Sequence, residues 1–188
     1  MVIPLSGFSA GVLGSRVLRV LPRGVDVRWL WCALPTAVLW SVASAASPPR
    51  WLPVPLALAW LGVLLVAADL RCRRLPDALT LSAHPVLGVA LWLAGADLER
   101  AVIGCLVFSG LHAAVHLLAP AALGGGDVKL SGALGAVLGS VSWLALPVGA
   151  ALASAITLVV ALWRPPGGLP HGPGAVGATW LTSVWGPW

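Results

Sequence analysis

The chain has 188 residues, of which 59% are hydrophobic and only 9% charged, and its mean hydropathy is +0.96. This balance excludes an ordinary soluble domain and points to an integral membrane protein with no room for a sizeable soluble module. The formal charge of +5 does not indicate a nucleic-acid partner, because the basic residues flank apolar runs and form no continuous patch.

A membrane-crossing helix needs roughly 17 to 25 predominantly apolar residues. In chain order the candidates are Trp29–Ala46, Trp51–Ala68, Ala78–Ala94, Ala101–Ala119, Val128–Trp143, Leu144–Trp163 and the short Ala175–Trp188. The expected fold is therefore all-α, a polytopic transmembrane helix bundle with six to seven spans. The fifth and sixth candidates form one oily stretch, which divides at "LGSVSWLALP", residues 138–147, where Gly139, Ser140 and Pro147 favour a turn. Elsewhere "SPPR", "RCRRLPD", "GADLER", "APAALGGGD" and "RPPGGLPHGPG" concentrate Pro, Gly and charge. Trp29, Trp31, Trp51, Trp143, Trp163 and Trp188 fall at proposed span ends, as interfacial anchors do, whereas Trp40 and Trp60 read as packing. Residues 1–28 are not a secretory signal, since the basic residues follow the apolar run "VIPLSGFSAGVL". They read as a cytoplasmic or membrane-surface amphipathic segment ahead of an integral membrane domain over 29–188.

Orientation follows from the basic residues. With the N-terminus cytoplasmic, Arg16, Arg19, Arg23, Arg28, Arg71, Arg73, Arg74, Lys129 and Arg164 are inside and only Arg50 and Arg100 outside, nine of the 11 Lys and Arg against two. That topology puts Asp69, at the end of the second span, and Asp127, at the start of the fifth, on one membrane face. The two are 58 positions apart in sequence, yet helices two spans apart commonly pack together. A carboxylate in hydrocarbon is penalised by about 2.5 to 3.5 kcal/mol on insertion scales, less toward an interface, so its presence there argues for a function.

The flanks of both acids are distinctive. "DLRCRRLPD", residues 69–77, runs through a basic turn to Pro76, which stops a continuing helix, and Asp77, placed to N-cap the next one. "GGGD", Gly124 to Asp127, brings a backbone without side chains to the second carboxylate, which permits close approach of an extended peptide and unusual dihedrals. A phosphate-binding loop is excluded: Lys129 follows no glycine, no Ser or Thr adjoins it, and no strand precedes it.

"DLRCRRLPD" at 69–77 followed by "GGGDVKL" at 124–130 resembles the paired signature of the type IV prepilin peptidases, a family of GxGD intramembrane aspartic proteases. The resemblance covers roughly residues 51–175. It includes "LPHGPGAV" at 169–176, similar to the family's Pro-Phe-Gly-Pro segment with His171 in place of the aromatic residue. The resemblance implies that Asp69 and Asp127 are the catalytic aspartates. It implies as substrates prepilins or pseudopilins whose short basic leader is cut on the cytoplasmic side of a prokaryotic inner membrane, with the bilayer the other partner. Longer members carry a cytoplasmic insertion with paired CxxC motifs and also N-methylate the cleaved pilin. Here that insertion is missing, so peptidase activity without methyl transfer is expected.

The chemistry stands without the resemblance. Two neighbouring carboxylates cannot easily both ionise, so one proton is shared between them near working pH. The ionised member draws a proton from water, which attacks the scissile carbonyl, while the protonated member donates to the carbonyl oxygen. No metal or other cofactor is needed. Gly124, Gly126 and Pro76 are candidate substrate contacts; replacing Gly126 by Val is expected to abolish cleavage without affecting insertion. Lys129, also a candidate substrate contact, either favours the ionised form of Asp127, touches backbone or serves as a topogenic charge.

Other constellations fare less well. His112 and His116 in "HAAVH" have metal-ligand spacing, but Ala113 stands where a zinc protease needs glutamate and no third ligand is well placed, so a polar helix contact is the expected role. "VFSG" at 107–110 lacks the Gly-x-Ser-Gly of rhomboid-type serine proteases, and a chain without Tyr cannot supply the Tyr-Asp pair of presenilin-like enzymes. Cys32, Cys72 and Cys105 form neither an even framework nor a CxxC pair, so free thiols are expected. The non-enzymatic alternative is a small transporter or scaffold subunit in which Asp69 and Asp127 relay protons.

Overall fold

The computed structural model describes residues 2–21, 25–72, 76–120, 123–162 and 172–187, and among these every regular element is an α-helix. In chain order they are α1 (Val2–Val20), α2 (Leu30–Ala46), α3 (Pro53–Cys72), α4 (Asp77–Leu93), α5 (Leu98–Leu118), α6 (Gly125–Val141), α7 (Ala145–Leu162) and α8 (Gly172–Ser183). Their limits follow local chemistry. Pro53 opens α3, where a missing N–H is not needed. Asp97 caps α5, its carboxylate accepting the N–H groups of Glu99 and Arg100 at 3.1 Å each. The turn between α6 and α7 lies at Ser142, whose hydroxyl oxygen accepts the Ala145 N–H at 3.1 Å. Gly139 and Pro147, expected to make that turn, lie inside α6 and in the first turn of α7.

By length and composition α3, α5 and α7 are long and apolar enough to cross a membrane, and α2 and α4 are shorter apolar helices. The expected six to seven spans are not all of that length: α2, α4 and α6 have 17 residues each and α8 has 12, at or below the lower limit for crossing hydrocarbon. The outer faces of α5 and α7 are apolar, with Leu106, Leu117, Leu158 and Leu162 exposed. α3, by contrast, is mostly buried. An apolar exterior around a helical core suits a bilayer as solvent.

The centre of the bundle is a ring of four helices: α3 packs on α4, α4 on α6, α6 on α8, and α8 back on α3. α5 lies along α6, α7 along α8, and α1 and α2 lie together against α3. The close crossings use small residues, as helices do where no aqueous hydrophobic drive brings them together. A Cβ on Gly104 of α5 would lie 2.4 Å from the Gly135 carbonyl oxygen of α6, and one on Gly139 would lie 2.6 Å from the Arg100 carbonyl oxygen. The N-terminal segment uses the same device. A Cβ on Gly11 of α1 would meet the Ala33 backbone of α2 at 2.5 Å, and Trp60 of α3 donates its indole N–H to the Ala10 carbonyl at 2.9 Å.

One tryptophan read as an interfacial anchor is instead interior. Trp51 is only 3% exposed, and its indole N–H donates to the Ser183 carbonyl at 2.8 Å. Trp180 donates to the Pro55 carbonyl at 3.0 Å, and the Ser47 hydroxyl to the Val184 carbonyl. These bonds fasten the end of the short α8 to the start of α3 and the end of α2. Trp29, Trp31 and Trp143 are exposed at helix ends, as expected. Arg100 stacks over the Trp143 ring, 5.3 Å from its centroid. Trp163, Trp188, Arg23, Arg73, Arg74, Arg164 and His171 lie outside the described residues.

Candidate active site

Only four residues separate the end of α3 from the start of α4, and these ends and the start of α6 share one end of the bundle. A direct bond fixes this: the Lys129 ammonium, on the second turn of α6, donates to Asp77 Oδ1, at the first residue of α4, at 2.7 Å. Asp69 is in the last turn of α3 and Asp127 in the first turn of α6, so both stand at this end.

Solvent exposure separates them from the other acids. All six carboxylates fall within the described residues. Asp26, Asp77, Asp97 and Glu99 are exposed, Asp127 is half-buried, and Asp69 is buried, with only 7% of its surface accessible. Carboxylates are rarely withdrawn from water without a compensating role. α3 and α6 do not pack along each other, however. Both lean on α4 and α8, which complete the ring between them, so the expected direct packing of these two helices is replaced by an arrangement across the ring.

The glycines before Asp127 take an unexpected form. Gly124 has φ −72 and ψ 148, extended backbone open to any residue, and the positive-φ glycines of the described chain are Gly95 and Gly186. Gly124 therefore does not serve an unusual dihedral. Packing does not demand Gly124 or Gly125 either: a Cβ on Gly125 would meet nothing within 4 Å, and one on Gly124 only Asp127 Oδ2, at an ordinary 3.4 Å. What their missing side chains leave is open space beside the Asp127 carboxyl group. The Asp127 N–H donates to the Gly124 carbonyl at 3.0 Å, which seats the carboxylate in the first turn of α6, near the positive end of the helix dipole.

On the other side of the site, Pro76 is buried and extended, with φ −60 and ψ 127, and it occupies the cap position before α4. Asp77, expected as the N-cap, is instead the first helical residue. Its carboxylate favours the α4 N-terminus through the helix dipole while binding Lys129. Lys129, expected as a substrate contact or a neighbour of Asp127, donates to Asp77 in this structure. The signal for this pair was present in the sequence as opposite charges at the starts of two helices on one face, but the distance needed the fold.

The two histidines have separate partners. His112 donates from Nδ1 to the Phe108 carbonyl of its own helix at 2.8 Å, and its ring lies 4.4 Å from that of Phe108. His116 donates from Nδ1 to the Leu123 carbonyl at 2.7 Å, tying the end of α5 to the residue before the glycine run. Among the described residues no three His, Cys, Asp or Glu side chains gather as a metal-ligand set. Cys32, Cys72 and Cys105 are free thiols.

The sequence pattern of the type IV leader peptidase family matches residues 56–162, more than half of the chain. The chain belongs to the type IV leader peptidase family. It is accordingly a leader peptidase-like protease of the aspartic type. The matched leader peptidase region starts in α3 and ends with α7, so it includes Asp69, Asp77, Asp127 and Lys129. Comparison with curated proteins and with solved structures gave no match.

Proposed function

We propose that this leader peptidase family member is an intramembrane aspartic endopeptidase that removes the short basic leader of type IV prepilins or pseudopilins. In this reading Asp69 and Asp127 are the catalytic pair, six to seven of the helices α2 to α8 cross the inner membrane of a prokaryote, and the site opens on the cytoplasmic face. The supporting observation is that, of six carboxylates, only these two are withdrawn from water, at one end of the bundle.

The reaction needs one ionised and one protonated carboxyl group. The first takes a proton from water as the oxygen attacks the scissile carbonyl; the second protonates the carbonyl oxygen, and the departing amine then recovers a proton from the pair. A precursor with a basic leader in the cytoplasm and an apolar helix in the bilayer places their junction at the depth of the pair. Its helix unwinds locally, and the extended segment lies in the space beside Gly124 and Gly126, with Pro76 opposite. Lacking paired CxxC motifs, the chain releases a pilin whose new N-terminus is unmethylated.

The test is co-expression with a pilin precursor, following leader loss by gel mobility and the mature N-terminus by mass. Removal of the leader with no added methyl group is the expected result. Absence of cleavage by the wild-type chain overturns the proposal and leaves proton relay by the two acids as the better account. A sharper variant is Gly125→Val. Its side chain enters open space, and valine is no poorer a helix former than glycine, so the fold stays intact while the peptide's path narrows. Cleavage is expected to fall at least tenfold with unchanged insertion and thermal stability; wild-type turnover in this variant refutes substrate approach along the glycines.

A further inference from the structure

We propose that the Asp77–Lys129 ion pair is a latch that sets the rotation of α6 and thereby aims the Asp127 carboxyl group, making both residues positioning residues for cleavage. The inference rests on the peptidase reading above. Its starting point is the 2.7 Å bond between side chains 52 positions apart, each about half-exposed.

Three features of the fold give this bond a geometric role. First, α3 and α6 meet through α4 and α8 and not along their own lengths, so the placement of Asp127 relative to Asp69 depends on those intermediaries. Second, the side-chain bonds that fasten α8 to this group, from Trp51 to Ser183 and from Trp180 to Pro55, join it to the start of α3, which is the end away from Asp69. At the Asp69 end the bond between Asp77 and Lys129 links the first turn of α4 to α6. Third, residues two apart on a helix do not face each other, so Lys129 leaves α6 on a different side from Asp127. Its ammonium acts by holding the helix at one rotation about its axis. α4 begins only eight positions after Asp69, so a latch onto its first residue refers the rotation of α6 to the end of α3.

An exposed ion pair contributes little to stability, whereas a displacement of 1 Å at a reacting group costs on the order of a hundredfold in rate. The pair is therefore expected to act on turnover and hardly on folding. The experiment compares Asp77→Ala, Lys129→Ala, Lys129→Arg and the exchange Asp77→Lys with Lys129→Asp in the full chain, reconstituted with a pilin precursor. It reads kcat, KM and thermal stability. Each alanine variant is expected to lose about ten- to a hundredfold in kcat with KM and stability near wild type. Lys129→Arg keeps most of the rate, and the exchange recovers at least half of the lost activity on a logarithmic scale. Recovery by the exchange is what distinguishes a latch from a contact to substrate, since the leader would meet a reversed charge at residue 129. If the wild type cleaves but the exchange is no faster than the slower alanine variant, or if Lys129→Ala raises KM with kcat intact, the latch is overturned and the peptidase reading stands. A wild type that does not cleave removes both.

Discussion

Asparagine at either Asp69 or Asp127 is expected to reduce leader removal by roughly 10²- to 10⁴-fold, the range that positioned acids and bases contribute to proton transfer. The substitution is nearly isosteric and replaces the ionisable carboxyl group by a neutral amide. At Asp69, 7% exposed in the last turn of α3, the amide fits the same volume. Insertion and thermal stability are therefore expected to hold while turnover is lost. Because the two acids act as a unit, the losses do not multiply: the double variant should be no more than a few-fold slower than the worse single one. Asp77→Asn is the informative companion. Asp77 is exposed and takes no part in proton transfer, so its replacement should leave more activity than either of the others. The measurement is the initial rate of precursor cleavage on matched amounts of membrane-inserted protein. More than a tenth of wild-type rate in either Asp69→Asn or Asp127→Asn would show that the pair is not catalytic.

The largest structural effect is expected where α5 crosses α6. A Cβ on Gly135 would stand 2.4 Å from Phe108 Cβ and 2.5 Å from the Gly104 carbonyl oxygen. The second neighbour is backbone, so it can yield only if the helices part. Overpacking a fitted interface costs typically about 1 to 3 kcal/mol and occasionally more, and Gly135→Leu should reach the upper part of that range. α6 also carries Asp127, so the same change is expected to abolish cleavage by loss of folded protein. Gly110→Leu, on the partner helix α5, is the control: its Cβ meets nothing within 4 Å, and leucine is the better helix former, so no loss of stability is expected. Thermal unfolding in detergent or nanodiscs compares the two. Equal melting temperatures for Gly135→Leu and the wild type would mean that the helices do not meet at these glycines.

Much of the architecture was legible along the chain, because in a bilayer each span must satisfy its own backbone and is therefore written as a local apolar run. The seven apolar runs coincide with the helices α2 to α8, with limits mostly within a few residues, and of these α3, α5 and α7 are long and apolar enough to cross a membrane. Alternation of direction then placed Asp69 and Asp127 at one end from their positions in sequence alone. Local signals misled where a residue type serves two purposes. Gly139 suits a turn but is used for the approach of α5. Trp51 suits an interface but is buried against the end of α8. Asp77 suits an N-cap, yet Pro76 holds that position and Asp77 binds Lys129.

By itself, then, the sequence determined the helical class, the order and direction of the helices and the two acids on which the proposed chemistry turns, all of which depend on spacing and hydropathy along one dimension. Only the tertiary structure decided which acids are shielded from water, that α4 and α8 stand between α3 and α6, and that Lys129 reaches Asp77 while His116 reaches Leu123. Those outcomes depend on how each helix is rotated about its axis. That rotation is set by side-chain packing between segments far apart in the chain, and no local pattern encodes it.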